Sequence, residues 1–470
     1  MILNLLKRNI AGWMVVTMAT GFFSCNKMLD IKPTDQVDGS EIFTSLGTVN
    51  KAVLGVYADW EAAYTWRIGS VMADECSIGL KNNGVNGSAQ QLYRWSYASG
   101  DPEISAPWVN AYQVINRVNR VLEGIDKVPV PDAAAEQEKQ HLKGELLAIR
   151  AFEHFELYRN YGSSGKYQVS ALAVPYVTTS AISNKPGRPS YVTFMAALQQ
   201  DITAALALID DNKEVSRMHL NAVNALQARV ALYAGNWATA ATYAGKVIDK
   251  VPLATRDEFP GIWTDRNNAE VIFKLTRTNA SPMRPGDIWK NATTGIAYFA
   301  PAQKLLSAYN RDLDIRYDSY FDYDPALEKD GQLPDVIKKY AGSTGAENLN
   351  DIKVFRTAEM YLIRAEALLQ SNKRGEAAAD LNILRQHRLL DYEPQNFRDV
   401  PQLLQAILTE RFKELPFEGH RYYDLKRLLL PIERDQPAAT LHPQALFYYL
   451  PIPQAEIIAN PNIRPNNPGW

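Results

Sequence analysis

The sequence predicts a mainly α protein in which antiparallel helical hairpins stack as repeats and are interrupted by a long, loop-rich irregular subdomain. Three observations predict it. Apolar residues recur at spacings of three and four through much of the chain, and two separated segments share one helix–turn–helix pattern. Between those segments, residues 251–351 hold many prolines, glycines and aromatics with little helical periodicity. The chain has 470 residues, 46% hydrophobic and 22% charged, enough to bury a large core and too apolar for wholesale disorder. With 50 Lys+Arg against 52 Asp+Glu, no polyanion-binding surface and no nucleic-acid partner is implied.

The N-terminus sets the context for both cysteines. Lys7 and Arg8 precede a mostly apolar stretch from Ile10 to Phe23, then Ser24 and Cys25. This order reads as an export signal over residues 1–24 with lipidation at Cys25. A short transmembrane anchor is the alternative, although the stretch falls below the roughly 20 residues a bilayer crossing needs. A lipidated Cys25 leaves Cys76 without an intrachain partner, so no disulfide framework and no Cys-x-x-Cys metal site is expected. Residues 25–45 are polar and read as a tether.

The folded body then begins. Val49, Ala52, Val53, Val56, Tyr57 and Trp60 share one helix face; further helices are expected over 141–161 and 194–209. From Asn221, the positions Val223, Leu226, Val230 and Tyr233 line a helix that Gly235 and Asn236 stop. A second helix follows, with Trp237, Ala240, Ala241, Ala244, Val247 and Ile248 inward, and its alanines allow close helix–helix approach. The pattern returns over 357–388, with a turn at 372–375 and Ala377, Leu381 and Leu384 on the second helix. Both units resemble tetratricopeptide hairpins, which stack. Residues 251–351 read as loops with short strands such as EVIFKLT, and the six-proline ending from His442 reads as a surface wrap.

Three blocks carry a family resemblance: DIKVFRTAEMYLIRAEALL at 351–369, followed by Asn382 and Arg385; ERFKELPFEGHRYYDLKR at 410–427; and the ending LPIPQAEIIANPNIRPNNPGW. With GTVNKAVLGVY at 47–57 and WVNAYQVINRVN at 108–119, the chain resembles the RagB/SusD family of outer-membrane lipoproteins. The resemblance implies a SusD-like domain over 46–470: a helical-repeat scaffold at 46–250 and 352–388, a ligand-side insertion at 251–351, and a C-terminal block and wrap at 389–470. It further implies a lipid-anchored, non-catalytic lid that captures a glycan or other nutrient for a SusC-like TonB-dependent transporter in the outer membrane of Bacteroidetes. Residues 26–30 lack the acidic cluster associated with surface display.

No HExxH, GxSxG, P-loop or GxGxxG motif occurs, so no cofactor is expected. A carbohydrate-active enzyme and a protein-binding repeat scaffold remain the competing readings. His420 among charged neighbours, and Asp74 beside Glu75, read as structural groups rather than acid–base pairs. The aspartates at 312, 314, 318, 322 and 324 fail as a calcium loop, because Arg316, Tyr317 and Tyr323 stand where oxygen ligands and a glycine are needed. Glycan capture needs an apolar ring face flanked by amides or charges. Two segments supply that mixture: Trp66 and Arg67 with the polar loop holding Asn82 and Asn83, and Arg284, Asp287, Trp289 and Asn291. Trp289, without a helical stripe to bury it, is the leading ring; Trp95, Trp108, Trp237 and Trp263 are expected in the scaffold.

Overall fold

Helix boundaries in this computed structural model, which describes residues 42–164, 168–211, 214–281, 283–435 and 437–470, follow capping chemistry. The export signal and Cys25 lie outside the described residues. Eleven helices of eight or more residues occur among the described residues: α1 (Leu46–Asp59), α2 (Ala63–Val71), α3 (Pro102–Ile125), α4 (Ala133–Tyr161), α5 (Tyr191–Leu208), α6 (Leu220–Tyr233), α7 (Trp237–Ile248), α8 (Thr357–Gln370), α9 (Arg374–Gln386), α10 (Val400–Glu414) and α11 (Arg421–Leu428). Ser45 and Thr48 form a reciprocal cap on α1. Asp132 accepts the Ala135 amide and starts α4 eight residues before the predicted point, because the helix formers at 133–140 have no apolar stripe to betray them. None of the described helices is long and apolar enough to cross a membrane.

The end of the predicted tether is part of the fold. Ile42–Thr44 forms a 3-10 turn, and the Phe43 ring sits where a side chain at Gly124 would have to go, 2.3 Å from the position of its Cβ. Close packing on α3 therefore begins by residue 43.

The hairpins stack as the repeat pattern implies. Helices α6 and α7 form one hairpin, α8 and α9 the next, and α7 packs directly on α8 although residues 249–356 separate them in sequence. Ala240, Ala244 and Val247 of α7 are fully buried, whereas Trp237 at its first turn is only half-buried. The insertion is closed at its base by an antiparallel pair, β2 (Val271–Leu275) with β8 (Ile352–Arg356), in which Phe273 faces Phe355 beside a bulge. Between them, four short helices or turns and short two-stranded pairings give the insertion more regular structure than its composition suggests.

The core of the C-terminal half is ionic as well as apolar. Glu414, fully buried, accepts from Arg316 (3.0 Å), Arg388 (3.0 Å) and Arg356 (3.0 Å). Arg356 also reaches Glu270 and Glu418 at 2.6 Å each, Arg388 reaches Glu270 at 2.7 Å, and Lys339 reaches Glu418 at 2.7 Å. Burial alone would push Glu414 up; the three guanidiniums more than reverse this and hold its carboxyl well below the usual carboxylate range.

Removing one partner from such a network strands charges out of water, which costs about 3–5 kcal/mol. Arg356→Met is accordingly expected to lower unfolding free energy by about that amount in urea denaturation. A loss below about 1 kcal/mol would show that the network relaxes around the gap.

Glu153 behaves in the opposite sense. Burial, and then the Glu156 carboxylate, push it up to about 8. A carboxyl raised in the folded state keeps its proton where the unfolded chain has lost it, so its contribution is full at low pH and is lost as pH rises from about 4.5 to about 8. Glu153→Gln, which removes that titration, is expected to gain about 1–3 °C in Tm relative to the parent at pH 8 compared with pH 5, read by calorimetry. Parallel pH profiles for the two proteins would refute the assignment.

Candidate functional site in the loop cluster

A short strand pairing builds the site. The strands β1 (Cys76–Ile78) and β3 (Phe299–Pro301) run antiparallel, with Ile78 opposite Phe299. Directly after β1, Gly79 lies so close to the insertion that a Cβ there would stand 2.0 Å from Ala297 O, while its own amide donates to Tyr298 O at 2.8 Å. Only a glycine allows this approach. The chain then makes the polar loop 80–90, held against residues 290–298.

Asn82 is the fastener. It is buried, donates from Nδ2 to Ser88 O (3.0 Å) and Tyr298 O (2.8 Å), and accepts from Ser88 N (2.8 Å). Asn291 works on the other side of Tyr298: its Nδ2 donates to the phenol oxygen at 2.9 Å, and its Oδ1 accepts from Thr293 N and Thr294 N. A third segment joins through Gln332, whose Oε1 accepts from Ala297 N at 2.9 Å, and through the Lys81–Asp330 ion pair at 2.7 Å. That segment contains β4 (Phe321–Tyr323) paired with β5 (Asp335–Ile337), and β5 packs beside β3.

Three loops thus form one surface. It exposes Asn83, the Lys81–Asp330 pair, Leu80 and Val85, together with one large aromatic, Tyr323, which is 52% exposed. The Tyr323 hydroxyl donates to Glu328 at 3.0 Å, fixing the ring at its tip.

The predicted site residues divide accordingly. Asn82 and Asn291 come together around Tyr298 as loop builders, and Asn83, exposed, donates to Leu80 O at 3.3 Å. Trp289 is corrected: it is 2% exposed, with ring contacts to Phe417 (5.0 Å) and Phe299 (6.4 Å), so no face is free for a ligand. Trp66 is likewise buried, against Tyr340 at 5.3 Å. Asp287 accepts from Asn348 Nδ2 (2.8 Å) and the Arg284 amide (3.3 Å), and Arg284 donates to Glu347 O (2.9 Å); both brace the turn beneath the loops. Arg67 is half-buried over the Tyr64 ring, and its depressed pKa comes from burial, with Glu103 of α3 its strongest charged neighbour.

Tyr298, Tyr323, Asp330 and Gln332 were missed. The usable signal was Tyr323 between two aspartates, a position where a buried ring is costly to arrange.

The acid–base candidates are engaged or buried. Asp74 binds Arg421 (2.7 Å) and Lys304 (2.6 Å), and Glu75, pushed up to about 7 by burial, accepts the Phe417 amide at 2.8 Å. His420 is held well below its usual range by burial and then by surrounding arginines such as Arg229 and Arg411. Asp314 of the aspartate run is occupied by Arg316 (2.8 Å) and Lys413 (3.0 Å), and Asp324 caps the short helix Pro325–Lys329.

Comparison with known proteins agrees with this architecture. A family profile described as "SusD family" matches residues 276–439, and one described as "Starch-binding associating with outer membrane" matches residues 27–232. SusD-like protein P2 of Formosa agariphila is 24% identical, with 94% of this chain and 96% of the relative covered. A crystal structure of a SusD superfamily protein from Bacteroides thetaiotaomicron superposes with a TM-score of 0.80 at 26% identity, covering 90% of this chain and all of the other. A SusD-like carbohydrate binding protein from Bacteroides vulgatus has the same fold, with a TM-score of 0.76, 22% identity, and 90% and 98% of the two chains covered. Profile matches over most of its length, together with a shared fold along nearly the whole described body, show that this chain belongs to the SusD family.

Proposed function

We propose that the protein is a lipid-anchored, outer-membrane binding protein that captures an oligosaccharide or other nutrient on its loop cluster and passes it to a SusC-like TonB-dependent transporter, without chemical turnover. The observation that carries this reading is the amide-pinned loop cluster, whose segments expose the Tyr323 ring, Asn83 and the Lys81–Asp330 pair. That is the combination a sugar requires, an apolar patch for its C–H face and polar groups for its hydroxyls. The starch-binding description of the matching profile, and the carbohydrate binding of the Bacteroides vulgatus relative, support a glycan as ligand. Engagement of Asp74 and Glu75 in structural contacts, and the burial of His420 among arginines, support a binding role over a catalytic one. The order Ser24–Cys25 after an apolar stretch supports the anchor.

A phenol face covering roughly 50–80 Å² of ligand contributes about 1–2 kcal/mol, close to tenfold in affinity. Calorimetry against a panel of oligosaccharides is expected to show Tyr323→Ala weakening binding by about fivefold to tenfold with Tm unchanged. Asn82→Ala should lower both affinity and stability, the latter by about 1–3 kcal/mol, because the Ser88 and Tyr298 backbone groups lose their partner. Affinity for the bound glycan that is indifferent to Tyr323→Ala would place the ligand elsewhere.

Membrane attachment is tested in the native cell. Cys25→Ala is expected to move the protein out of the membrane fraction or leave its signal uncleaved, and the parent protein is expected to co-purify with a barrel-sized transporter under gentle extraction. A parent lipoprotein that elutes alone would overturn the transporter partnership.

A further inference from the structure

A second concavity, of about 560 Å³, opens between the outer face of α3, the segment 175–186 and the short helix Gln454–Ala459, and it shares no residue with the loop cluster. Its floor is aromatic. Trp108 and Tyr112, one turn apart on α3, have ring centroids 4.9 Å apart. Both polar ends are already used: Trp108 Nε1 donates to Glu456 (3.3 Å) and the Tyr112 hydroxyl donates to Pro175 O (2.8 Å). Trp108 itself is buried, so the partly exposed Tyr112 ring is the aromatic carbon face that the groove offers.

The walls are fixed in advance. Asn116 Nδ2 donates to Ser180 O at 3.0 Å, Glu123 accepts both the amide and the hydroxyl of Ser180, and at the far end Asn460 Nδ2 donates to Pro186 O at 2.9 Å. A segment clamped at both ends pays little ordering entropy when a ligand arrives. On the rim stand two apolar side chains held in water, Val109 at 60% and Ile182 at 89% exposure.

Size and charge narrow the occupant. The volume falls in the range of small-molecule sites, about 300–1,000 Å³, and has room for little more than one turn of a helix of about 10 Å diameter. Lys185 at the rim has no ion-pair partner among the described residues, whereas the groove's carboxylate, Glu456, is turned onto Trp108. A positive, amide-bearing rim over an apolar floor complements a ring with hydroxyls and a negative substituent.

We infer that this groove is a second ligand site, taking a one- or two-ring saccharide that carries a carboxylate, with the ring on Tyr112 and against Ile182, hydroxyls toward Gln113, and the carboxylate toward Lys185. The site is independent of the ligand taken by the loop cluster. The test uses the purified protein, titrated by ligand-observed NMR with sodium D-glucuronate and with D-glucose, and crystals soaked in glucuronate. Glucuronate is expected to occupy the groove and to bind about threefold to fivefold tighter than glucose, the margin an exposed ion pair supplies. Lys185→Gln should erase that margin, and Ile182→Asp should weaken both sugars. Absence of saturable binding, equal affinity for the two sugars, or binding that responds to Tyr323→Ala and not to Ile182→Asp would overturn the inference. The last result would leave the loop-cluster reading standing, so the two proposals fail separately.

Discussion

Glu414 is the point on which the C-terminal half of the molecule is assembled. Its carboxylate receives guanidiniums from the insertion (Arg316), from the end of β8 (Arg356) and from just beyond α9 (Arg388), and it stands itself at the end of α10. Taking so many charges out of water is expensive, and an apolar core of equal volume could be as stable. What the ions add is direction: a guanidinium satisfied by two carboxylates tolerates only one relative placement of the segments that carry them. Glu270 and Glu418 extend the same logic to the strand before the insertion and to the loop after α10.

The loop cluster rests on this arrangement. Trp289, lodged between Phe299 and Phe417, ties the floor of the loop cluster to the segment that follows Glu414, and Lys339 binds Glu418 from within the insertion. Above that floor the contacts change character, from buried ions and rings to amide hydrogen bonds around Tyr298 and one exposed ion pair. A fixed base with a polar, water-facing top suits recognition of a hydroxylated ligand without reshaping the scaffold.

Much of the scaffold was legible because its signals are local. The alanine stripe of α7 and the Gly235–Asn236 stop specify a tight hairpin from adjacent residues, and the observed helix begins and ends there. The loop cluster was legible only in part. Trp289 lacks a helical stripe, yet a loop ring can be buried by partners distant in sequence, and Phe417 is such a partner. Local patterning carries no trace of that contact. The same limit hid the ion network: Glu414 and Arg356 read as ordinary charged helix and strand positions, and only their meeting in space shows why neither touches water. Asn82 and Asn291, read from sequence as ligand contacts, hold the loops together through hydrogen bonds that join segments distant in sequence in the first case and adjacent residues in the second.

The antiparallel pair β2–β8 has a bearing on how the family can vary. It brings the two ends of the insertion together, so the scaffold meets the same two anchor points whatever lies between them. For a flexible segment, closing a loop costs only about 0.6 kcal/mol more for each doubling of its length. Residues between the anchors can therefore be lengthened, shortened or exchanged at small thermodynamic cost, provided Arg316 and Lys339 still reach their carboxylates. Such a chain can diversify the shape it offers to ligands while its helical stack remains under separate selection.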